Sequence, residues 1–517
     1  MESHLRINIS DMRQALQRIL TCVREAETQF ADQLVNVHPD NVARARNFIH
    51  YLALRTFDLR VLQQQLSELG ISSMAHAEGY TLFNLQRIDH LLSLMDNGQE
   101  TFLQYTQGLD APFTFRGYQT AFKAHCDQLF GEPSAGANKT HLMVTLPTEA
   151  ADSPELIRDL LLAGMDVARI NTSHDDPEIW QRMVDNLRQA ETETGVHCKI
   201  YIDLSGPKLR TDLSRARVFD KDRWRKKKTR LRLYRDDYIF LSKDPEQDSR
   251  FSDGEMPIAI IGCSQKQLFA DVQPGQRIFF NDGKLGGKIK HVFPEGVMIQ
   301  IKQASSKGNN LGSEKGINLP DTDLRLSSLT ADDHRYLPFV AQMADVVGYS
   351  FVRRPKDVAD LQAELAALGY PDLGIILKIE TGEAFYHFPD LIFQALQSPL
   401  VGIMIARGDL AVEIGFERIA EVQEELLWLA EAAHVPDIWA TQVLENLTKK
   451  GLATRSEITD AAMATRAACV MLNKGPNIVD AVRTLQNITN RMEQHINRKQ
   501  GSLRPLSVAT RVVSHIE

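Results

Sequence analysis

Ile375-Ile376-Leu377-Lys378-Ile379-Glu380 and Gly402-Ile403-Met404-Ile405-Ala406-Arg407-Gly408-Asp409 are short apolar runs that end in charged groups. A buried parallel strand reads this way when it carries functional residues at its C-terminal end. An ammonium and a carboxylate at one strand end, with a second carboxylate at the next, suit a divalent metal and a phosphorylated acid. Hard oxygen ligands match Mg2+, and a buried Lys beside them offsets negative charge that develops during reaction. Two core strands with merely solvated ends are the plain alternative. Further strings of the same kind along the chain disfavour it.

Outward from these strings, strand and helix patterns alternate. Residues 141–146, 166–170, 199–204, 345–351, 374–379, 401–406, 437–441 and 469–472 read as strands. Helical stretches at 154–163, 177–194, 331–343, 355–368 and 416–434 lie between them. Eight strands alternating with helices imply a closed (β/α)8 TIM barrel of the α/β class, whose active sites lie at the C-terminal strand ends. The alternation breaks between the third and fourth strands. There, residues 230–241, 276–280, 288–293 and 297–301 read as strands of a small inserted β-domain. On the catalytic face such an insertion can act as a lid that excludes water.

Ahead of the barrel the chain reads as helical. Met12, Leu16, Ile19, Leu20 and Val23 share one face. A second helix starts after Pro39-Asp40, carries Phe48, Ile49, Leu52, Leu59 and Leu62, and stops at Gly70. A third carries Leu85, Ile88, Leu92 and Met95 and stops at Gly98. A small antiparallel bundle is expected, joined to the barrel by a linker at 131–138. The expected organisation is a helical extension at 1–130, barrel segments at 138–210 and 320–497, an inserted β-barrel lid at 211–319 and a tail at 498–517.

The 517 residues exceed one ordinary core. Apolar residues at 43% and charged residues at 24% are ordinary for a globular chain. A net charge of −8 gives no overall pull toward nucleic acid or anionic membrane. Cys22, Cys126, Cys198, Cys263 and Cys469 are scattered and read as free thiols of a reducing compartment. There is no apolar signal core and no run long enough to span a bilayer, so a cytoplasmic enzyme is expected.

Seven strings then add up to a family likeness. They are Val167-Ala168-Arg169-Ile170-Asn171-Thr172-Ser173-His174, Asp203-Leu204-Ser205-Gly206-Pro207-Lys208-Leu209-Arg210-Thr211 and Leu311-Gly312-Ser313-Glu314-Lys315-Gly316-Ile317-Asn318-Leu319-Pro320. Lys378-Ile379-Glu380 and Ala406-Arg407-Gly408-Asp409 follow, then Ala440-Thr441-Gln442 with Thr454-Arg455-Ser456-Glu457. In this order and spacing they resemble pyruvate kinases, from about Thr140 to about Thr484. The resemblance implies a barrel with a β-barrel lid and transfer of a phosphoryl group from phosphoenolpyruvate to ADP, giving pyruvate and ATP in glycolysis.

It also implies roles. Lys378 matches the lysine at the phosphoryl group and enolate oxygen, and Arg169 a phosphate-binding arginine. Glu380 and Asp409 match the Mg2+ ligands, with Mn2+ able to substitute. Amides at Gly408 and Asp409 match a carboxylate-binding helix start. Thr441 matches a threonine that contacts the carboxylate and helps deliver a proton to the enolate. Asn171, His174, Arg210, Asp282 and Lys315 fall near the nucleotide. Asn171, Ser173, Asp203 and the Leu204 carbonyl match a monovalent-cation site. Lys208 stands where many members carry Glu and depend on K+, so its ammonium is expected to replace K+.

Departures accompany the likeness. The usual C-terminal regulatory domain is expected to be absent and the helical segment to be additional. Thr145-Leu146-Pro147-Thr148 and Met471-Leu472-Asn473-Lys474-Gly475-Pro476 differ from the usual Thr-Ile-Gly-Pro and Ser-Gly-Glu-Thr endings. A metal-dependent oxo-acid lyase and a non-catalytic binding paralogue are therefore kept as alternatives. Homo-oligomers through the barrel or the N-terminal helices are compatible with the sequence. The basic run Arg223-Trp224-Arg225-Lys226-Lys227-Lys228-Thr229-Arg230 reads first as a solvated face, and nucleic acid is not an expected partner.

Overall fold

In a computed structural model, residues 9–71, 74, 77–97, 111–133, 140–220, 223–226, 230–246, 256–492 and 507–513 are described. Parallel strands His141–Thr145, Val167–Asn171, Lys199–Asp203, Val346–Tyr349, Gly374–Ile379, Val401–Ala406, Asp437–Ala440 and Cys469–Leu472 close into one barrel. The first pairs with the last, His141 opposite Cys469 and Val144 opposite Leu472. The fifth and sixth strands are buried at every position, as their apolar runs require.

Side chains alternate across each strand. Met143, Val167, Tyr201, Val346, Ile376, Met404, Ile438 and Met471 form one buried cluster inside the barrel. One residue pair further along, the inward positions turn polar: Thr145, Arg169, Asp203 and Lys378. The lower apolar cluster also contains Cys126, Leu129 and Phe130 from the helix Phe115–Phe130. That helix plugs the N-terminal mouth of the barrel, a role the sequence did not announce.

The first helix, Ile9–Gln29, buries Met12, Leu16, Ile19, Leu20 and Val23 as expected. The second does not run unbroken to Gly70. It is two helices, Val42–Leu54 and Arg60–Glu68. The Asp58 carboxylate accepts from the Arg60 N–H at 3.2 Å, and Thr56 Oγ1 turns back to the Ala53 carbonyl at 2.7 Å. These local side-chain bonds compete with the helical ladder and stop it. The third helix spans Thr81–Asn97. The extension is welded to the barrel: Asn47 Nδ2 donates to the Ala432 carbonyl at 2.8 Å, and Phe30 stacks on Phe393 with centroids 5.1 Å apart. Of the expected linker, 134–138 lie outside the described residues.

The inserted strands form an eight-stranded sheet running from Ile317–Asn318 through Arg277–Phe280, Leu285–Phe293, Gly296–Gln303, Tyr238–Ser242, Ala259–Cys263 and Thr211–Asp220 to Arg223–Lys226. The single strand expected at 230–241 is two strands. Arg230–Leu233 pairs with Asn309–Gly312, whereas Tyr238–Ser242 pairs with Gly296–Gln303. Asp236 at φ 69° makes the turn, and the Asp237 carboxylate accepts from the Tyr234 N–H at 2.7 Å. Leu231, Leu233 and Leu311 join the sheet's own apolar cluster, so sheet and ribbon share one core. Of the basic run, 227–229 lie outside the described residues.

Candidate active site

The C-terminal rim of the barrel gathers charge. Asp203, at the end of the third strand and 1% exposed, accepts from Arg169 Nη2 at 2.6 Å and from Lys378 Nζ at 3.1 Å through one carboxylate oxygen. Its other oxygen accepts from the Tyr201 hydroxyl at 3.0 Å. Burial pushes this carboxyl up, yet Lys378 and Arg169 outweigh burial and hold it below its ordinary range. Lys378 also donates to Ser350 Oγ at 2.7 Å and lies 3.2 Å from Glu380. Burial would discharge the ammonium, but Asp203 and Glu380 keep it charged.

Arg169 donates from Nη1 to Thr145 Oγ1 at 2.8 Å, while its Nε is buried with no hydrogen-bond partner. A buried guanidinium N–H without an acceptor is costly.

Glu380 directly follows the fifth strand, and its Oε2 accepts from the Phe351 N–H at 2.7 Å. Burial first, and the facing Asp409 charge after it, push this carboxyl up. Asp409 lies in the first turn of the helix Arg407–Ile414, which follows the sixth strand directly. Lys208 Nζ sits 2.8 Å from its Oδ2 and overcomes burial to hold it low. Three cations, Arg169, Lys208 and Lys378, thus face three carboxylates, Asp203, Glu380 and Asp409. Paired oxygen donors of this kind fit a hard divalent cation, with the remaining positions left to water and phosphate. Among the described residues no group of three or more His, Cys, Asp or Glu could hold a metal.

Gly408 N–H donates to Thr441 Oγ1 at 2.9 Å, joining the sixth and seventh strand ends. Further out, Asn171 Oδ1 accepts from the Ser173 N–H at 3.0 Å, and Ser173 Oγ meets Ser205 Oγ at 3.2 Å. The Leu204 carbonyl accepts from Ser350 Oγ at 2.5 Å. Of the oxygens of the expected monovalent-cation site, Asn171 Oδ1, the Asp203 carboxylate and the Leu204 carbonyl already accept from the chain's own donors. Lys208 reaches Asp409 rather than these oxygens.

His174 lies at the open rim. What desolvation the rim imposes, and then the Lys474 and Arg210 charges, hold its imidazole below the ordinary value. Arg210 donates to the Glu314 carbonyl at 3.3 Å. Lys315 and Asp282 are exposed on the lid side and enter none of the contacts above. Thr454 and Glu457 form a capping box at the start of the helix Arg455–Ala464.

Sequence reading did not single out Thr145, Tyr201, Ser350, Asn318 or Glu413. Asn318, in the last lid strand, donates to Glu413 Oε1 at 3.1 Å, and burial pushes that carboxyl up to about 7. Ser350 alone carried a signal, since it closes the fourth apolar run as Lys378 closes the fifth.

A closed parallel barrel with cations and carboxylates massed at its C-terminal strand ends belongs to the (β/α)8 class, whose functional sites lie at that rim. The family model "Pyruvate kinase, barrel domain" matches residues 137–476. The chain belongs to the pyruvate kinase family. It is 32% identical over 358 residues to a probable cytosolic pyruvate kinase of Arabidopsis thaliana, covering 68% of this chain and 67% of that protein. It is 30% identical over 382 residues to human pyruvate kinase PKLR, covering 71% and 62%. Identity to pyruvate kinase of Bacillus licheniformis is 31% over 374 residues, covering 70% and 58%. The chain thus spans about three fifths of the length of the human and Bacillus relatives it matches.

Proposed function

We propose that this chain moves the phosphoryl group of phosphoenolpyruvate to ADP. The bond from phosphorus to the enol oxygen breaks, a bond to the terminal ADP oxygen forms, and the enolate takes a proton at its methylene carbon to become pyruvate. The observation that carries this reading is the buried Arg169–Asp203–Lys378 chain, with the Arg169 Nε buried and unpartnered.

Arg169 and Lys378 bind the phosphoryl oxygens, and Lys378 stabilises the charge left on the enolate oxygen. Asp203 fixes both cations before substrate arrives, so they need not reorganise as charge moves. Gly408 exchanges its bond to Thr441 for one to the substrate carboxylate. Thr441 is freed to pass a proton toward the methylene carbon. Glu380 and Asp409 would hold Mg2+, which would supply a fixed positive charge to offset negative charge that develops during transfer. Arg210, His174 and Lys315 meet the nucleotide phosphates from the rim and the lid side, with Asn171 and Asp282 near them.

K+ independence follows from charge balance. Three cations already face three carboxylates; a Glu at position 208 would leave two against four and call for an added cation. Cytoplasmic residence is part of the proposal. All five cysteines are free, and no helix among the described residues is long and apolar enough to cross a membrane.

The test is pyruvate release from phosphoenolpyruvate and ADP with Mg2+, with and without K+, beside Lys378→Met. Turnover that needs Lys378 and ignores K+ supports the reading. Turnover that needs K+ keeps the kinase and removes the role given to Lys208. Absence of turnover, with phosphoenolpyruvate still bound, overturns it in favour of a ligand-binding relative.

A further inference from the structure

Asp460 stands on the helix Arg455–Ala464, outside the ring of side chains that would touch substrate. It closes a fork on Arg407, with Oδ1 2.5 Å from Nη1 and Oδ2 2.8 Å from Nη2. The same guanidinium donates to the Thr441 carbonyl at 2.6 Å and to the Ala440 carbonyl at 3.2 Å. It also lies 4.8 Å from the Trp439 ring centroid. Arg407 is therefore held from several sides.

What it holds is strained. Thr441 and Gln442 have φ of 68° and 61°, a region that β-branched residues such as Thr rarely adopt. Such a conformation persists only when its surroundings over-determine it. Arg407 grips the Thr441 carbonyl while the Thr441 hydroxyl accepts the Gly408 N–H. Arg407 and Gly408 are adjacent in one helix turn, so one element fixes both ends of the strained residue.

We propose that Asp460 is a positioning residue: by locking the Arg407 fork it keeps Thr441 strained and its hydroxyl aligned on Gly408. The inference rests on the proposed roles of Thr441 and Gly408. The pair is partly buried, with side-chain exposures of 12% and 30%, and a two-pronged pair adds geometric specificity. Removal of Asp460 therefore acts on alignment, and Asp460→Glu, which keeps the charge, separates that from a cost to folding.

Steady-state kinetics of Asp460→Asn and Asp460→Glu, with a ligand-free crystal structure of Asp460→Asn, test this. Asp460→Asn should lower kcat by roughly tenfold or more, as sub-ångström misplacement does, and leave KM for ADP within about twofold. Asp460→Glu, which keeps the fork, should recover part of the loss. In the crystal, Thr441 should leave positive φ or part from Gly408. An unchanged kcat overturns the inference, and so does an unmoved Thr441–Gly408 contact in the variant. A wild-type protein that releases no pyruvate refutes the proposed reaction instead, and the crystallographic comparison still decides the role of Asp460.

Discussion

The Lys208 ammonium sits 2.8 Å from the Asp409 carboxylate, so one candidate metal ligand is already neutralised by the chain itself. The pair is partly buried, with side-chain exposures of 25% and 15%. A divalent cation arriving at Asp409 has to displace or share that ammonium. Lys208→Met should therefore bind Mn2+ more tightly in the ligand-free protein, by about tenfold, equivalent to ~1.4 kcal/mol. Free Mn2+ counted by electron paramagnetic resonance is the measurement. Unchanged or weaker binding would mean that Lys208 does not compete at this position.

Gly348 has no side chain because the site has no room for one. A Cβ there would lie 1.9 Å from the Tyr201 hydroxyl and 2.4 Å from Asp203 Oδ1. Gly348→Ala must push aside the carboxylate that holds Arg169 and Lys378. The expected outcome is an overpacking cost of about 1–3 kcal/mol and a loss of kcat of roughly a hundredfold. Denaturant titration read against pyruvate release checks both. Full activity in a folded Gly348→Ala protein would show that the Asp203 geometry is not critical.

Leu129 enters the barrel mouth from the plug helix and is fully buried. A Cβ added at Gly402 would lie 3.6 Å from its Cδ2, so plug and strand are in close packing. Leu129→Ala leaves a cavity that a closed barrel floor cannot easily collapse, at a cost of about 2–5 kcal/mol. Thermal unfolding is the check. A variant as stable as the parent would mean that the helix is not part of the barrel's core.

These residues also show what was legible in the chain. The fifth strand could be read because both its faces are buried, which makes Ile375, Ile376 and Leu377 a continuous apolar run. Lys378 and Glu380 then fall on one face by simple alternation. Asp203 could be placed at a strand end, but not between Arg169 and Lys378. Those partners lie 34 and 175 residues away, and only barrel closure brings them together. The plug was opaque for a related reason. Cys126, Leu129 and Phe130 make an ordinary apolar helix face, and periodicity does not say what the face will cover. The break between Leu54 and Arg60 was hidden because Leu59 and Leu62 continue the apolar spacing while Thr56 and Asp58 end the helix through side-chain bonds.

The joint between plug and barrel should be acid-sensitive, because two buried histidines hold it in their neutral form. His125 Nε2 accepts from the Val401 N–H at 3.4 Å, so Nδ1 donates to the His434 carbonyl at 2.8 Å. His434 Nε2 donates to the Gly79 carbonyl at 2.8 Å, and its Nδ1 is buried without a partner. A second proton on either ring would cost a hydrogen bond or go unmatched. Burial, with the Arg44 charge acting in the same direction, pushes His125 down to about 3. Burial likewise pushes His434 down to about 4, against the opposing pull of the Gly79 carbonyl and the Glu431 charge. Both folded values lie below the ordinary histidine value of about 6.5. The unfolded chain therefore binds these protons first as pH falls. Stability from this joint is complete above about pH 6.5 and is lost progressively toward pH 4. Hydrogen–deuterium exchange of the helix Phe115–Phe130, corrected for intrinsic rates, should rise between pH 6.5 and 4.5. The rise should be shallower in His125→Asn, where one titrating ring is gone. An equally steep rise in that variant would place the acid sensitivity elsewhere.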